Sequence, residues 1–135
     1  MTNANDILPV LRTRGLRKDY GKEENLVRAV DEFDLDVAAG ETLAIMGPSG
    51  CGKSTLLHLL GGLDRPSSGQ ICLGSERLDT MSERNLAKMR GQSIGFVFQA
   101  FHLMDELTAV ENVELPALGN RQPRGWTAAG RPRGR

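Results

Sequence analysis

The chain has 135 residues, of which 25% are charged and 4% are aromatic, and its acidic and basic side chains are equal in number. This length predicts one domain that can bury most of its apolar surface, and no run of 18 apolar residues is present that could span a membrane. The first ten residues contain no basic segment followed by a long apolar run, and Cys51 and Cys72 lack metal-binding spacing. We therefore expect a cytoplasmic protein with reduced thiols and no secretory signal.

Two strands are predicted near the start of the chain. Residues 10–20 are typical of an edge strand that ends at Tyr20. The segment Val27–Val37 ends in an alternation of apolar and acidic side chains, which predicts a half-buried antiparallel strand followed by a tight turn at residues 38–41. The inward-facing set is Phe33, Leu35 and Val37, and the outward-facing set is Asp34 and Asp36.

The segment Gly47–Thr55, GPSGCGKST, matches the phosphate-loop pattern G-x-x-x-x-G-K-[ST] at every position. Before it, the apolar segment Thr42–Met46 predicts a buried strand of a parallel sheet. After it, Ser54–Leu60 predicts a helix. The apolar face of that helix is expected to hold Leu56, Leu59, Leu60 and Leu63. Strand, glycine-rich turn and helix thus follow one another in the order that a nucleotide-binding loop requires.

The residue types of this loop suit a polyphosphate. Gly47, Gly50 and Gly52 lack a Cβ atom, so the backbone can take left-handed conformations and approach an anion closely. Successive N–H groups can then point at the anion, at the positive end of the following helix. Lys53 is expected to bind the β- and γ-phosphates, and the Ser54 hydroxyl is expected to ligate Mg²⁺. The loop therefore predicts binding of a nucleoside triphosphate with Mg²⁺.

Further elements are predicted in the second half of the chain. A turn at residues 64–69 leads into a short strand at 70–73, and Ser82–Arg90 predicts a polar helix with a capping box formed by Thr80 and Glu83. Ile94–Phe98 predicts a second apolar strand. A second capping box, Thr108 with Glu111, predicts a helix over residues 109–114 that ends before Pro116.

The end of the chain differs in composition from the rest. Residues 1–118 hold 12 basic and 17 acidic side chains, whereas residues 119–135 hold five arginines and no acid. We predict a domain over 1–118 and a disordered Arg/Gly/Pro-rich tail over 119–135, because the tail cannot bury enough surface to offset its ordering entropy. A basic tail can bind nucleic acid or lipid. We favour an out-of-frame or foreign end instead, with no nucleic-acid partner.

Two long segments, Gly40–Gly74 and Leu86–Pro116, closely resemble ATP-binding cassette (ABC) transporter ATPases. Within that family, the marks GGLDRPSSG, IGFVFQAFHL and LTAVENVELP are most similar to the branch that serves lipoprotein release, macrolide export and antimicrobial-peptide resistance. The resemblance covers about residues 10–118. It implies an α/β fold of the P-loop NTPase type, corresponding to the first half of a nucleotide-binding domain: an antiparallel β subdomain and the start of the α/β core.

The resemblance also implies roles for residues outside the loop. Tyr20 would stack on adenine, although it could instead be an ordinary aromatic at a strand end. Gln99, which follows an apolar segment, would ligate Mg²⁺ and open a loop over Gln99–Leu107 that contacts a membrane permease. Phe101, His102, Leu103 and Met104 would line the groove for the permease, or else form local core. The nucleotide-binding residues predicted in all are Tyr20, Gly47, Pro48, Ser49, Gly50, Cys51, Gly52, Lys53, Ser54, Thr55 and Gln99, with Ser54 and Gln99 on the metal.

Hydrolysis of ATP in this family requires further motifs. It needs an apolar strand followed by Asp-Glu, an LSGGQ-like helix start and a later histidine. No LSGGQ-like segment occurs, no histidine follows His102, and Asp105-Glu106 lacks the preceding apolar strand and is expected to be a solvated loop pair. We therefore assign no catalytic residue, and we expect the chain alone to be marginally stable and not to hydrolyse ATP.

Several functions remain open from the sequence. The favoured one is the ATP-binding part of an ABC transporter subunit, peripheral at the inner face of the membrane when it is bound to a permease. Intact relatives dimerise, but this chain is not expected to form a symmetric two-site dimer. The alternatives are a catalytically silent binding module, a nonfunctional remnant, or another phosphate-loop enzyme such as a GTPase or a small-molecule kinase. A GTPase should carry Asn-Lys-x-Asp, which is absent.

Overall fold

The computed structural model describes residues 9–100 and 102–119. It contains an antiparallel sheet of four strands, of which two come before the phosphate loop in the sequence and two come after it. The chain divides into two units, Met1–Leu86 and Ala87–Arg135. The elements are β1 (Leu11–Tyr20), β2 (Val27–Val37), α1 (Lys53–Leu60), β3 (Ser68–Leu73), β4 (Glu76–Arg77), α2 (Glu83–Ser93) and α3 (Ala109–Gly119), with a short 3-10 turn at Glu23–Asn25 between β1 and β2.

The strand order in the sheet is β2-β1-β3-β4, and all three pairings are antiparallel. The residues predicted as an edge strand, 10–20, do form a strand, but β1 lies inside the sheet between β2 and β3, so the prediction of an edge position is wrong. Leu11 is paired with Val37 on one side and with Leu73 on the other. A strand with charged residues on one face can lie centrally in an antiparallel sheet because that face remains in water.

The core of the first unit combines residues of the sheet, of α1, of the segment after β4 and of α2. Its side chains are Leu16, Val30, Leu56, Leu59, Ile71, Leu78 and Leu86. Thr13 is also fully buried, and its hydroxyl donates to the Phe33 carbonyl oxygen at 3.2 Å, so the buried polar group is satisfied. The predicted alternation in β2 is confirmed, with half-buried apolar and exposed acidic side chains.

The predicted apolar face of α1 is correct for Leu56 and Leu59, which are buried. Leu63 is 43% exposed, contrary to the prediction. The helix ends at Leu60, and the amides of Leu63 and Asp64 both donate to the His58 carbonyl oxygen, at 2.8 and 3.2 Å. Because this turn breaks the helical period, Leu63 no longer falls on the buried face.

The two predicted apolar strands, 42–46 and 94–98, do not form strands. Met46 is 89% exposed and Val97 is fully exposed. A parallel core strand is buried and hydrogen-bonded only between neighbouring strands. Among the described residues of each unit, no strand pairs with either segment. Both segments therefore present apolar side chains to solvent.

The helix starts differ in how well they were predicted. α2 is capped by Ser82, whose hydroxyl oxygen accepts from the Asn85 amide at 3.4 Å, rather than by Thr80. The box at α3 is confirmed, because the Glu111 carboxylate accepts from the Thr108 amide at 2.8 Å and the Thr108 hydroxyl accepts from the Glu111 amide at 3.3 Å.

Two predictions concern the end of the chain. α3 continues through Pro116 to Gly119, so the predicted helix end is wrong; Pro116 cannot donate a hydrogen bond through its nitrogen, but the helix continues past it. The predicted boundary after Leu118 stays a prediction, because residues 120–135 lie outside the described residues. Among the described residues, no helix is both long and apolar enough to cross a membrane.

Candidate functional site

The phosphate loop turns into α1 through glycines with positive φ. Gly50 has φ of 80° and Gly52 has φ of 90°. Gly52 is also the N-cap of α1, and its carbonyl oxygen accepts from the Leu56 amide at 2.8 Å. These dihedral angles are the left-handed conformations that the sequence requires of the loop.

Close packing against the loop explains a second requirement for glycine. A Cβ atom at Gly52 would lie 2.1 Å from the carbonyl oxygen of Ala29 in β2, and a Cβ atom at Gly47 would lie 2.7 Å from the Cys51 sulfur. The backbone of the loop at Gly52 therefore packs directly against the backbone of β2, with no room for a side chain between them. The sequence motif predicts a glycine at position 52, but it does not predict that β2 is the strand that requires it.

The Lys53 ammonium group folds back onto the loop. Its Nζ donates to the carbonyl oxygens of Gly47 at 2.8 Å and Pro48 at 2.7 Å, and lies 3.6 Å from the Cys51 sulfur. The two oxygens carry no net charge, so these contacts do not neutralise the ammonium. An incoming phosphate can replace them with a stronger, charge-assisted interaction.

A cavity of about 370 Å³ opens beside the loop, a size within the range of small-molecule sites. Its lining brings together the end of β1, the start of β2 and the start of α1. The lining residues are Tyr20, Val27, Arg28, Ala29, Gly50, Cys51, Gly52, Lys53, Ser54 and Thr55. Tyr20 thus lies on the same cavity as six of the predicted loop residues, whereas Gly47, Pro48 and Ser49 lie in the loop but do not line the cavity.

The Tyr20 side chain is held from two directions. Its hydroxyl donates to Asp64 Oδ2 at 2.8 Å, and Lys18 Nζ lies 4.9 Å from the centre of its ring. The same ammonium donates to Asp64 Oδ1 and to the Arg65 carbonyl oxygen, both at 2.7 Å. Tyr20 is 42% exposed and lines the cavity, so part of the residue remains available to a ligand.

The Asp64 carboxylate is stabilised in its ionised form. Partial burial raises the pKa of Asp64, but the hydrogen bonds from Lys18, from Tyr20 and from the Arg65 amide outweigh burial and lower the pKa below its ordinary value. Asp64 is therefore ionised at neutral pH and accepts hydrogen bonds through both oxygens.

In the second unit, Gln99 begins the loop that leads to α3. Leu103 and Met104 are 65% and 54% exposed, and Phe101 lies outside the described residues. The side-chain nitrogen Nδ2 of Asn112 donates to the carbonyl oxygens of Met104, Leu107 and Thr108, at 3.1, 3.1 and 3.0 Å. Asn112 thus fixes the part of the loop in which Leu103 and Met104 are exposed. Asp105 and Glu106 form an exposed turn in it.

Comparison with known proteins assigns these features to a family. The model of the family described as ABC transporter matches residues 30–131. The chain belongs to the ABC transporter family. The resemblance predicted from the sequence is thereby confirmed, together with the fold class, and the GTPase and small-molecule kinase alternatives are set aside.

Several members of the ABC family are similar to the chain. It is 50% identical over 109 residues to the lipoprotein-releasing system ATP-binding protein LolD of Xanthomonas oryzae pv. oryzae (strain MAFF 311018), covering 81% of the chain and 45% of the relative. It is 46% identical over 110 residues to LolD of Xylella fastidiosa (strain Temecula1 / ATCC 700964), covering 82% of the chain and 46% of that relative. The chain spans about half the length of the curated relatives it matches.

A solved ABC structure has the same fold. The dimeric ATP-binding cassette MJ0796, in a post-hydrolysis state bound to ADP and Pi, superposes with a TM-score of 0.78 at 38% identity, covering 84% of this chain and 49% of that one.

Three residues that line the cavity of this ABC chain were not predicted as site residues, Val27, Arg28 and Ala29, and neither were Lys18 and Asp64, which contact Tyr20. Lys18 and Tyr20 are two residues apart on β1, a spacing that places both side chains on one face of a strand. That spacing is the only sequence signal for the Lys18 contact. Asp64 lies 46 residues from Lys18 and was interpreted as part of a turn, so its partners could be found only from the fold.

Proposed function

We propose that this chain binds ATP with Mg²⁺ through the phosphate loop, as the nucleotide-binding part of an ABC transporter subunit. The observation that carries this proposal is the cavity that Tyr20 shares with residues 50–55. An aromatic ring and an anion-binding loop on one cavity suit a ligand that has a flat base at one end and phosphates at the other.

Each predicted residue has a role in this proposal. The backbone of Gly47, Pro48, Ser49, Gly50, Cys51 and Gly52 surrounds the phosphates, and Thr55 lines the cavity beyond them. Lys53 exchanges its loop carbonyl contacts for the β- and γ-phosphates, and Tyr20 stacks on adenine. The arrangement fits Mg²⁺ because the exposed Ser54 hydroxyl lies at the start of α1 and on the cavity. Ser54 and, as the second proposed ligand, Gln99 would hold Mg²⁺, which would neutralise phosphate charge.

We expect Lys53→Ala to raise the dissociation constant of ATP about tenfold or more, because a charge-assisted contact to the phosphates is lost. Hydrogen exchange at the backbone amides of residues 46–55 reports the binding of ATP at the loop. Millimolar ATP with Mg²⁺ should slow exchange in the unmodified chain but much less in the variant.

Lys88→Ala is the matched control, because Lys88 is an exposed lysine of α2. It should leave the protection by ATP unchanged. If ATP protects none of residues 46–55 in the unmodified chain, or if GTP protects them and ATP does not, the proposed function is wrong.

The partner proposed for this chain is a membrane permease, contacted through the loop Gln99–Leu107. The support is the exposure of Leu103 and Met104 on a loop that Asn112 holds in place. The LolD relatives are named for a lipoprotein-releasing system, and we propose the same system for this chain. The chain would then be cytoplasmic and peripheral at the inner face of the membrane.

Leu103→Asp is expected to abolish co-purification with a permease that is expressed together with the chain, because a charge replaces an apolar contact. Lys88→Ala should retain it. Co-purification of Leu103→Asp at the unmodified level would contradict the assignment of the loop as the permease contact.

A further inference from the structure

The Tyr20 ring belongs to a cluster that connects the two ends of the site. Asp64 follows α1 after the turn at residues 61–63, while Lys53 is the first residue of the same helix. The Tyr20 hydroxyl donates to Asp64, and the Asp64 amide donates to the His58 carbonyl oxygen of α1 at 3.2 Å. The ring is therefore connected, through the turn that follows α1, to the helix that carries the phosphate-binding lysine.

Lys18 restricts the ring in a second way. Its side chain is 12% exposed, and its ammonium is held between the Asp64 carboxylate and the Arg65 carbonyl oxygen. An ammonium group above a ring is attracted to the electron-rich face. Because that ammonium is fixed by two further partners and lies 4.9 Å from the ring centre, it covers one face of Tyr20, and a base that stacks on the ring would take the other face.

We propose that Lys18 and Asp64 are positioning residues for the nucleotide base: they hold the Tyr20 ring so that a single face receives adenine while Lys53 receives the phosphates. This inference rests on the proposed function and deepens it, since it assigns the determinants of base affinity to two residues outside the phosphate loop. The cluster acts on the base and not on the phosphates.

That distinction defines the experiment. Binding of ATP is compared with binding of inorganic tripolyphosphate, which has the phosphates and no base, both with Mg²⁺ and the full chain. Tyr20→Phe removes only the hydroxyl, and Asp64→Asn removes only the carboxylate charge. Each variant is expected to raise the dissociation constant of ATP about fivefold and to leave that of tripolyphosphate within about twofold.

The double variant Tyr20→Phe/Asp64→Asn should bind ATP no more weakly than the weaker of the two single variants, because both changes act on the same Tyr20–Asp64 interaction. Asp36→Asn is the matched control. Asp36 is an exposed aspartate of β2 paired with Arg12 and Arg14, and its replacement should change neither ligand's affinity. Far-UV circular dichroism and the tripolyphosphate titration together verify that each variant is folded at the loop.

The inference is overturned if Asp64→Asn weakens ATP and tripolyphosphate equally, since the cluster would then only support the fold. It is also overturned if Tyr20→Ala weakens ATP while Tyr20→Phe and Asp64→Asn do not. Failure of the proposed function has a different outcome: Lys53→Ala would leave tripolyphosphate binding unchanged.

Discussion

Replacing Gly52 by alanine is expected to abolish nucleotide binding and to lower the free energy of unfolding by about 3 kcal/mol or more. The added Cβ would lie 2.1 Å from the Ala29 carbonyl oxygen. Because that oxygen belongs to the backbone of β2, no change of rotamer relieves the overlap, and either α1 or β2 must move. Denaturant unfolding and an ATP titration measure the two effects.

Gly50→Ala is the matched control for this substitution. Gly50 has nearly the same φ, 80°, but nothing lies within 4 Å of its Cβ position. Its replacement should cost only the left-handed backbone conformation, about 1–2 kcal/mol. Equal losses of stability in the two variants would show that strain in the loop dominates, and that its distance from β2 is unimportant.

Leu59→Ala is expected to lower the free energy of unfolding by about 3 kcal/mol, because the side chain is fully buried and its removal leaves a cavity. A loss of this size is a large part of the stability of a small domain. Denaturant unfolding again measures it. We expect the variant to unfold at a clearly lower denaturant concentration.

Leu57→Ala controls for the loss of leucine from the same helix. Leu57 is 54% exposed, so its replacement should cost less than about 0.5 kcal/mol. Leucine and alanine have similar helix propensities, and the comparison therefore isolates burial. If both variants lost the same stability, the assignment of Leu59 to the core would be wrong.

The sequence was most informative where structure depends on neighbouring residues. The phosphate loop prescribes its own dihedral angles through Gly50 and Gly52, and the Thr108–Glu111 cap is a bond between residues three positions apart. Both were predicted correctly. Local rules were less reliable at the start of α2, where Ser82 and not the predicted Thr80 forms the cap, and in α3, which continues through Pro116.

Features that depend on distant partners could not be predicted from local patterns. Apolar composition indicates that residues 42–46 and 94–98 can be strands, but a strand forms only beside a partner, and among the described residues neither segment has one. The two-residue strand β4 carries too few residues for any pattern. For the site, the motif alone predicted Lys53 and Ser54, the family resemblance added Tyr20, and the Lys18–Asp64 pair required the fold.

The pairing pattern of the sheet affects the order in which the protein can form during synthesis. Every strand of the four-stranded sheet lies before residue 78, so the sheet can close while later residues are still being added to the nascent chain. The apolar segment 42–46 remains exposed after the sheet has closed. Chains with exposed apolar surface are prone to aggregate and are typical clients of chaperones, so the yield of folded protein in the cell should depend on the supply of chaperones.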